Sequence, residues 1–125
     1  MLGDVLKRDV YALARHSNRD GERVPENTIE KPPSAELAPD QLDTDSLPSY
    51  PVLDEILAQA IEQGVPGGRI EPPDGVAAET VRWVLRAVDA NEYKRRQAPL
   101  VLRVSGKAFG TGRRLPIVHR SGWGV

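Results

Sequence analysis

The stretch AETVRWVLRAVDANEYKRRQAP, residues 78–99, decides the fold class of this chain. Val81, Val84, Leu85 and Val88 recur at the spacing of one helical face, with Arg82, Arg86 and Asp89 off it. The pattern predicts a helix over 78–97, ended by Pro99, which biases its predecessor to extended backbone. A helix with one apolar stripe must bury that stripe against another element.

Upstream, Leu53, Ile56, Leu57, Ala60 and Ile61 form a second stripe and predict a helix over 50–63. Pro51 suits its first turn and Gly64 the position just past its end. Residues 64–76 hold Pro66-Gly67-Gly68 and Pro72-Pro73 and are expected as loop. A third stripe, Leu6, Val10, Leu13 and Ala14, predicts a helix over 4–18. Asp4 is its candidate N-cap, and Asp20-Gly21 signals the turn after it. Residues 19–49 carry Pro25, Pro32, Pro33, Pro39 and Pro48 with little periodicity and predict one long loop. Loops of that length in small domains tend to be functional or disordered. Residues 100–125 read as a basic tail that opens with an extended run, Leu100 to Val104. The fold expected from pattern alone is mainly α with long loops.

Composition bounds the function. The chain has 125 residues, 39% of them hydrophobic, with 11 Gly, 11 Pro, one Phe, two Trp and three Tyr. That allows one small domain with a thin core. The absence of cysteine excludes disulfides, thiolate zinc sites and cysteine nucleophiles within these residues. MLGDVLKRDV mixes charges without an apolar core and does not read as a signal peptide, so a cytoplasmic location is expected. Charge is uneven. Through Glu92 there are 9 Lys/Arg and 18 Asp/Glu; beyond it there are 8 Lys/Arg and no acid. Such a tail meets phosphate, nucleic acid or an acidic surface, or packs on its own acidic body.

Individual motifs weigh little. Ser105-Gly106-Lys107 fails as a phosphate-binding P-loop, because Val101 stands where a glycine is needed and Ala108 where Ser or Thr is needed. His16 and His119 are remote from each other and make no metal site. Asp40, Asp43 and Asp45 share a loop but read first as solvating charge, without an EF-hand's glycine and terminal glutamate. Lys31-Pro32-Pro33-Ser34 is a stiff segment able to present the Ser34 hydroxyl. Glu92 to Gln97 places cations at a helix C-terminus, which complements the helix dipole and, beside Tyr93, can also serve an anionic ligand.

Their order carries more. LGDVLKRDVYALARHSN, KPPSAELAPDQLDTDSLPSYPVLDEIL, ETVRWVLRAVDANEYKRRQAP and RVSGKAFGTGRRLPI together resemble the C-terminal stretch of bacterial glutamine-dependent NAD+ synthetases, from Leu2 to about Ile117. The resemblance implies part of an α/β ATP-pyrophosphatase domain whose parallel sheet lies outside these residues. It implies a ligase that uses ATP and Mg2+ to activate deamido-NAD as an adenylate. Ammonia from glutamine then displaces AMP to give NAD+. It also implies a homo-oligomer with no specific nucleic-acid partner; no apolar run approaches about 18 residues, so no membrane partner is expected. By the same resemblance, Lys7 and Ser34 contact ATP, Lys94 and Tyr93 contact deamido-NAD, and Asp43 and Asp45 lie in the loop that closes over the site. No catalytic residue or metal ligand is carried over. The family's Ser-Gly-Gly-x-Asp-Ser phosphate loop, its acidic metal ligand and the glutaminase Cys-Glu-Lys triad are absent from these residues. Two functions follow as expectations: a segment of the ligase, not active alone, or a non-catalytic module binding a protein or nucleic acid through its basic tail.

Overall fold

The computed structural model describes residues 2–31, 47–107, 115, 116 and 123. Among them the secondary structure is helical, without strand. α1 spans Lys7–Ser17, α2 Glu26–Glu30, α3 Tyr50–Leu57, α4 Ala78–Ala90 and α5 Glu92–Gln97. A π-helical turn, Ala58–Glu62, continues α3, and a 3-10 turn, Gly67–Arg69, interrupts the connection to α4.

The core forms where α3 and its π turn meet α4. Ile56, Ala60 and Ile61 face Val81, Val84 and Leu85, with Ile70 closing one end. Ile56, Val84 and Leu85 are the largest fully buried side chains. Burying a side chain of that size contributes roughly 1.5–3 kcal/mol. Val52, Leu53, Leu57, Val65 and Trp123 pack around this cluster.

The two core stripes are the ones read from sequence at 50–63 and 78–97, but the helices differ in detail. α3 widens at its end, where the Gln63 N–H donates to the Ala58 carbonyl at 3.0 Å, five residues back. The helix expected to run unbroken to residue 97 is interrupted at Asn91, whose backbone leaves helical geometry at φ −96° and ψ 11°. The Asn91 Nδ2 donates to the Ala87 carbonyl at 2.8 Å and closes α4, so α5 starts afresh at Glu92.

The first helix also needs correction. It begins at Lys7, and Asp4 does not cap it. Asp54 on α3 takes over: the Arg8 N–H donates to Asp54 Oδ2 at 2.7 Å, although 46 residues separate them. That carboxylate is buried and sits at the positive end of the α1 dipole. The α1 stripe is real as a pattern, yet no residue of α1 is buried, and Leu13 remains 51% exposed. After α1, the side chain of Asn18 organises the turn. Its Oδ1 accepts from the N–H groups of Arg23 and Val24, and its Nδ2 donates to the Val24 carbonyl. Part of the long loop expected after it is helical: α2 forms behind Pro25 and buries Ile29.

The connection 64–77 is ordered by two devices. Gln59 pairs with the backbone of Glu71, donating from Nε2 to its carbonyl at 2.9 Å and accepting its N–H at 3.0 Å. Gly67 lies under Trp123, and a Cβ there would meet the Trp123 carbonyl oxygen at 2.5 Å. Trp123 in turn donates from Nε1 to Asp89 Oδ1 on α4 at 2.8 Å. The run Leu100 to Val104 forms no strand; Leu100, Leu102 and Val104 are largely exposed.

Candidate functional site

Two concavities adjoin on one side of the core. The larger is an open groove of about 930 Å³ between α3, α4 and α5. Leu53, Trp83, Val88 and Leu100 make its apolar wall, and Lys94, Arg95 and Arg96 line its rim. The smaller, of about 210 Å³, lies between the start of α1, the π turn and residues 105–107. Gly3 and Leu57 line both.

Lys7 lines the smaller cavity from the first residue of α1. Its Nζ lies 5.4 Å from the ring centre of Tyr11 and 5.5 Å from that of Tyr50. Both spacings are within reach of a cation–π attraction, so two rings from two helices position one ammonium.

Lys94 lines the larger groove from α5. The sequence pattern presents Glu92 as one member of a charged run. The structure gives it the anchoring role for that short helix. Glu92 is 2% exposed, and the Arg95 Nε donates to its Oε2 at 2.8 Å while the Arg96 Nε donates to its Oε1 at 3.3 Å. Arg95 Nη2 also pairs with Oε1. Arg96 extends further, from Nη2 to the Leu115 carbonyl. Two of the three cations on α5 are thereby engaged with the protein, and Lys94 faces the groove. Tyr93 is 48% exposed and lines neither concavity.

Asp4 replaces its expected capping role with another. Its Oδ2 accepts the N–H groups of Val104 and Ser105, each at 2.8 Å, and its Oδ1 accepts the Ser105 hydroxyl at 3.0 Å. This buried carboxylate fixes residues 104–105 beside the start of α1 and brings Lys107 to the same cavity as Lys7. Sequence spacing offers no signal for that contact, because 100 residues separate the partners.

Ser34, Asp40, Asp43, Asp45 and His119 lie outside the described residues. His16 is exposed in the last turn of α1. Among the described residues, no group of three His, Cys, Asp or Glu side chains could hold a metal ion. No helix among them is long and apolar enough to cross a membrane.

A groove with an apolar wall and a basic rim, beside a cavity holding a ring-flanked lysine, fits an extended ligand carrying anionic groups. The family model for NAD synthase matches residues 1–98, and the chain belongs to that family. Within it, the chain is similar to the glutamine-dependent NAD+ synthetases. It is 47% identical to the one from Acinetobacter baylyi over 125 residues, covering 98% of this chain and 23% of the relative. It is 44% identical to that of Thermotoga maritima over 122 residues, covering 96% of this chain and 21% of the relative. The glutamine-dependent NAD+ synthetase of Acinetobacter baumannii, solved with ADP, superposes with a TM-score of 0.54 at 38% identity. That match covers 96% of this chain and 20% of the solved one. The chain therefore spans about a fifth of the length of the relatives it matches, and the match falls in their C-terminal part.

Proposed function

We propose that the chain is the C-terminal segment of the synthetase domain of a glutamine-dependent NAD+ synthetase and supplies substrate contacts to an active site completed by the rest of that enzyme. The observation that carries this reading is the placement of Lys7 and Lys94. They are the two cations assigned to ATP and to deamido-NAD by resemblance, and they line adjoining concavities that share Gly3 and Leu57. In the intact enzyme the nicotinate carboxylate of deamido-NAD attacks the α-phosphorus of ATP, and pyrophosphate leaves. Ammonia, released from glutamine, then attacks the acyl carbon of the adenylate, and AMP leaves with the electron pair.

In this scheme Lys7 faces the ATP phosphates. A fixed positive charge is worth most where negative charge develops and water is excluded. The Ser34 hydroxyl is a second ATP contact. Lys94 and Tyr93 meet deamido-NAD, and Asp43 and Asp45 belong to the loop that closes over both substrates. Magnesium, when bound, would neutralise phosphate charge, and its ligands belong to the phosphate-loop portion of the family's domain. That portion also carries the parallel sheet of the ATP-pyrophosphatase fold, on which the helices described here would pack. These residues alone hold no phosphate loop, so the isolated chain is not expected to turn over or to bind ATP tightly.

A chimera tests the reading. Residues 1–125 replace the matching segment of the Acinetobacter baylyi relative, and NAD+ formation is measured from deamido-NAD, ATP and glutamine. The chimera is expected to be active and the isolated chain inactive. In the chimera, Lys94→Ala is expected to raise KM for deamido-NAD more than KM for ATP. A folded but inactive chimera, or robust turnover by the isolated chain, refutes the proposal.

A further inference from the structure

Of the ionisable groups around the smaller cavity, two lysines stand out as having no carboxylate partner among the described residues. Its wall holds Lys7, Lys107, Asp4, Asp54 and Glu62. Two of the three carboxylates are engaged by backbone donors: Asp4 with the N–H groups of Val104 and Ser105, and Asp54 with that of Arg8. Both are buried, while Glu62 is exposed. Among the described residues, neither Lys7 nor Lys107 has a carboxylate within the 4.0 Å of an ion pair. Carboxylates outnumber lysines three to two around this cavity, but Asp4 and Asp54 are turned to backbone donors, which leaves the two ammonium groups as the charged hydrogen-bond donors able to meet an anion there.

The position of Lys107 is set from both ends. At its root, Asp4 pins residues 104 and 105 through three hydrogen bonds. At its tip, Nζ occupies the space over Gly64, where a Cβ would come within 2.9 Å of it. Gly64 follows the π turn and its cap Gln63 at φ +68°, a left-handed conformation that favours glycine, and the missing side chain leaves room for the ammonium. Lys7 enters the cavity from the other element, flanked by Tyr11 and Tyr50.

We propose that Lys107 is a second cation of the phosphate-binding subsite to which Lys7 belongs, so that the two ammonium groups together take the oxygens of a diphosphate unit. The inference rests on the reading of Lys7 as a phosphate contact. It adds a residue from the tail, one whose Ser-Gly-Lys setting is not a P-loop. Recognition here uses point charges on two separate segments, a job suited to lysine. A di-anion between two such donors gains charge-assisted hydrogen bonds that a chloride ion cannot supply in pairs.

The test uses the 125-residue chain and inorganic pyrophosphate, with amide and lysine side-chain NMR signals followed against sodium chloride at equal ionic strength. Saturable shifts are expected at Lys7 and at Ser105 to Lys107, with Kd on the order of millimolar. Lys107→Gln should weaken binding about tenfold, the loss of one charge-assisted contact, while Lys107→Arg retains it. Lys107→Gln should leave the Tm unchanged, which a merely structural charge at the end of the π turn would not. Shifts confined to Lys7, unaltered affinity in Lys107→Gln, or the same response to chloride would each overturn the proposal. So would the absence of any saturable shift. The outcome is separable from that of the chimera: pyrophosphate at both lysines with an inactive chimera leaves the subsite standing and removes the synthetase reading. An active chimera with no Lys107 effect does the reverse.

Discussion

Replacing Asp4 with alanine isolates the contact that joins the two ends of the described chain. The carboxylate accepts two backbone N–H groups at 2.8 Å and one hydroxyl at 3.0 Å. Hydrogen bonds to a charged acceptor contribute about 1.5–3 kcal/mol each when the donor is stranded without it. The donors here are not stranded. Val104 is 69% exposed and Ser105 is half-buried, so water can replace the carboxylate for much of its work. The expected cost is therefore that of about one such bond, about 1.5–3 kcal/mol for the segment rather than three times that. It should be local, because residues 104 and 105 lie outside the cluster of Ile56, Val84 and Leu85. Amide hydrogen exchange reads it directly: protection at Val104 and Ser105 should fall by about 10- to 150-fold. Protection at Ile56 and Leu85 should hold. Asp4→Asn keeps one acceptor oxygen and loses the charge, and it should cost about 1 kcal/mol. Exchange at Val104 and Ser105 within twofold of the native chain in Asp4→Ala would refute the reasoning. So would an equal loss across the core, which would make Asp4 a global stabiliser and not a tether.

Asp54→Ala removes the acceptor at the N-terminus of α1 and should cost about 0.5–2 kcal/mol, read as faster exchange at Arg8 and lower helicity by circular dichroism. Gly67→Ala puts a methyl group against the Trp123 backbone and should lower stability by about 1–3 kcal/mol in urea unfolding, with altered Trp123 fluorescence. Unchanged unfolding would show that Trp123 does not sit over Gly67. Glu92→Ala removes the buried carboxylate that Arg95 and Arg96 share and should cost about 3–5 kcal/mol. In the chimera it should also raise KM for deamido-NAD through the displaced α5, and unchanged kinetics would separate Lys94 from its anchor.

The legible part of this fold is the part governed by local period. The stripes Val81-Val84-Leu85 and Ile56-Ala60-Ile61 are apolar at helical spacing, and they are the core. The break at Asn91 was not legible, because Glu92 to Gln97 has good helix formers and continues the pattern. What stops α4 is a side-chain hydrogen bond from Asn91 to Ala87, a competition with the backbone that composition does not reveal. Asp4 looked like a cap because it precedes a stripe, and nothing local distinguishes a cap from a tether. The decisive partners, Val104 for Asp4 and Arg8 for Asp54, lie far along the chain. The same reason hides Tyr11, Tyr50 and Lys107 from a motif search: they join the site through tertiary placement and belong to no pattern with Lys7.

The two lysines that carry the functional reading are held by different means. Lys7 depends on α1, a helix that buries nothing of its own and is fastened at its first turn by Asp54 from α3. Lys94 depends on α5, a six-residue helix fastened by the buried Glu92. Neither short element would be stable alone, since isolated helices of this length are marginal in water. Both are therefore as well placed as the α3–α4 core allows. α3 provides Asp54 to the first turn of α1, which carries Lys7, and Leu57 to the boundary between the two concavities, so a shift of α3 against α4 moves both sites together. A core variant such as Leu85→Ala, which opens a cavity between those helices at a cost of about 2–5 kcal/mol, should then degrade the use of ATP and of deamido-NAD in parallel in the chimera. Glu92 and Asp54 variants should each affect one substrate. Substrate-selective loss from Leu85→Ala, measured at a temperature where the variant remains folded, would mean that the two lysines are positioned independently of the core.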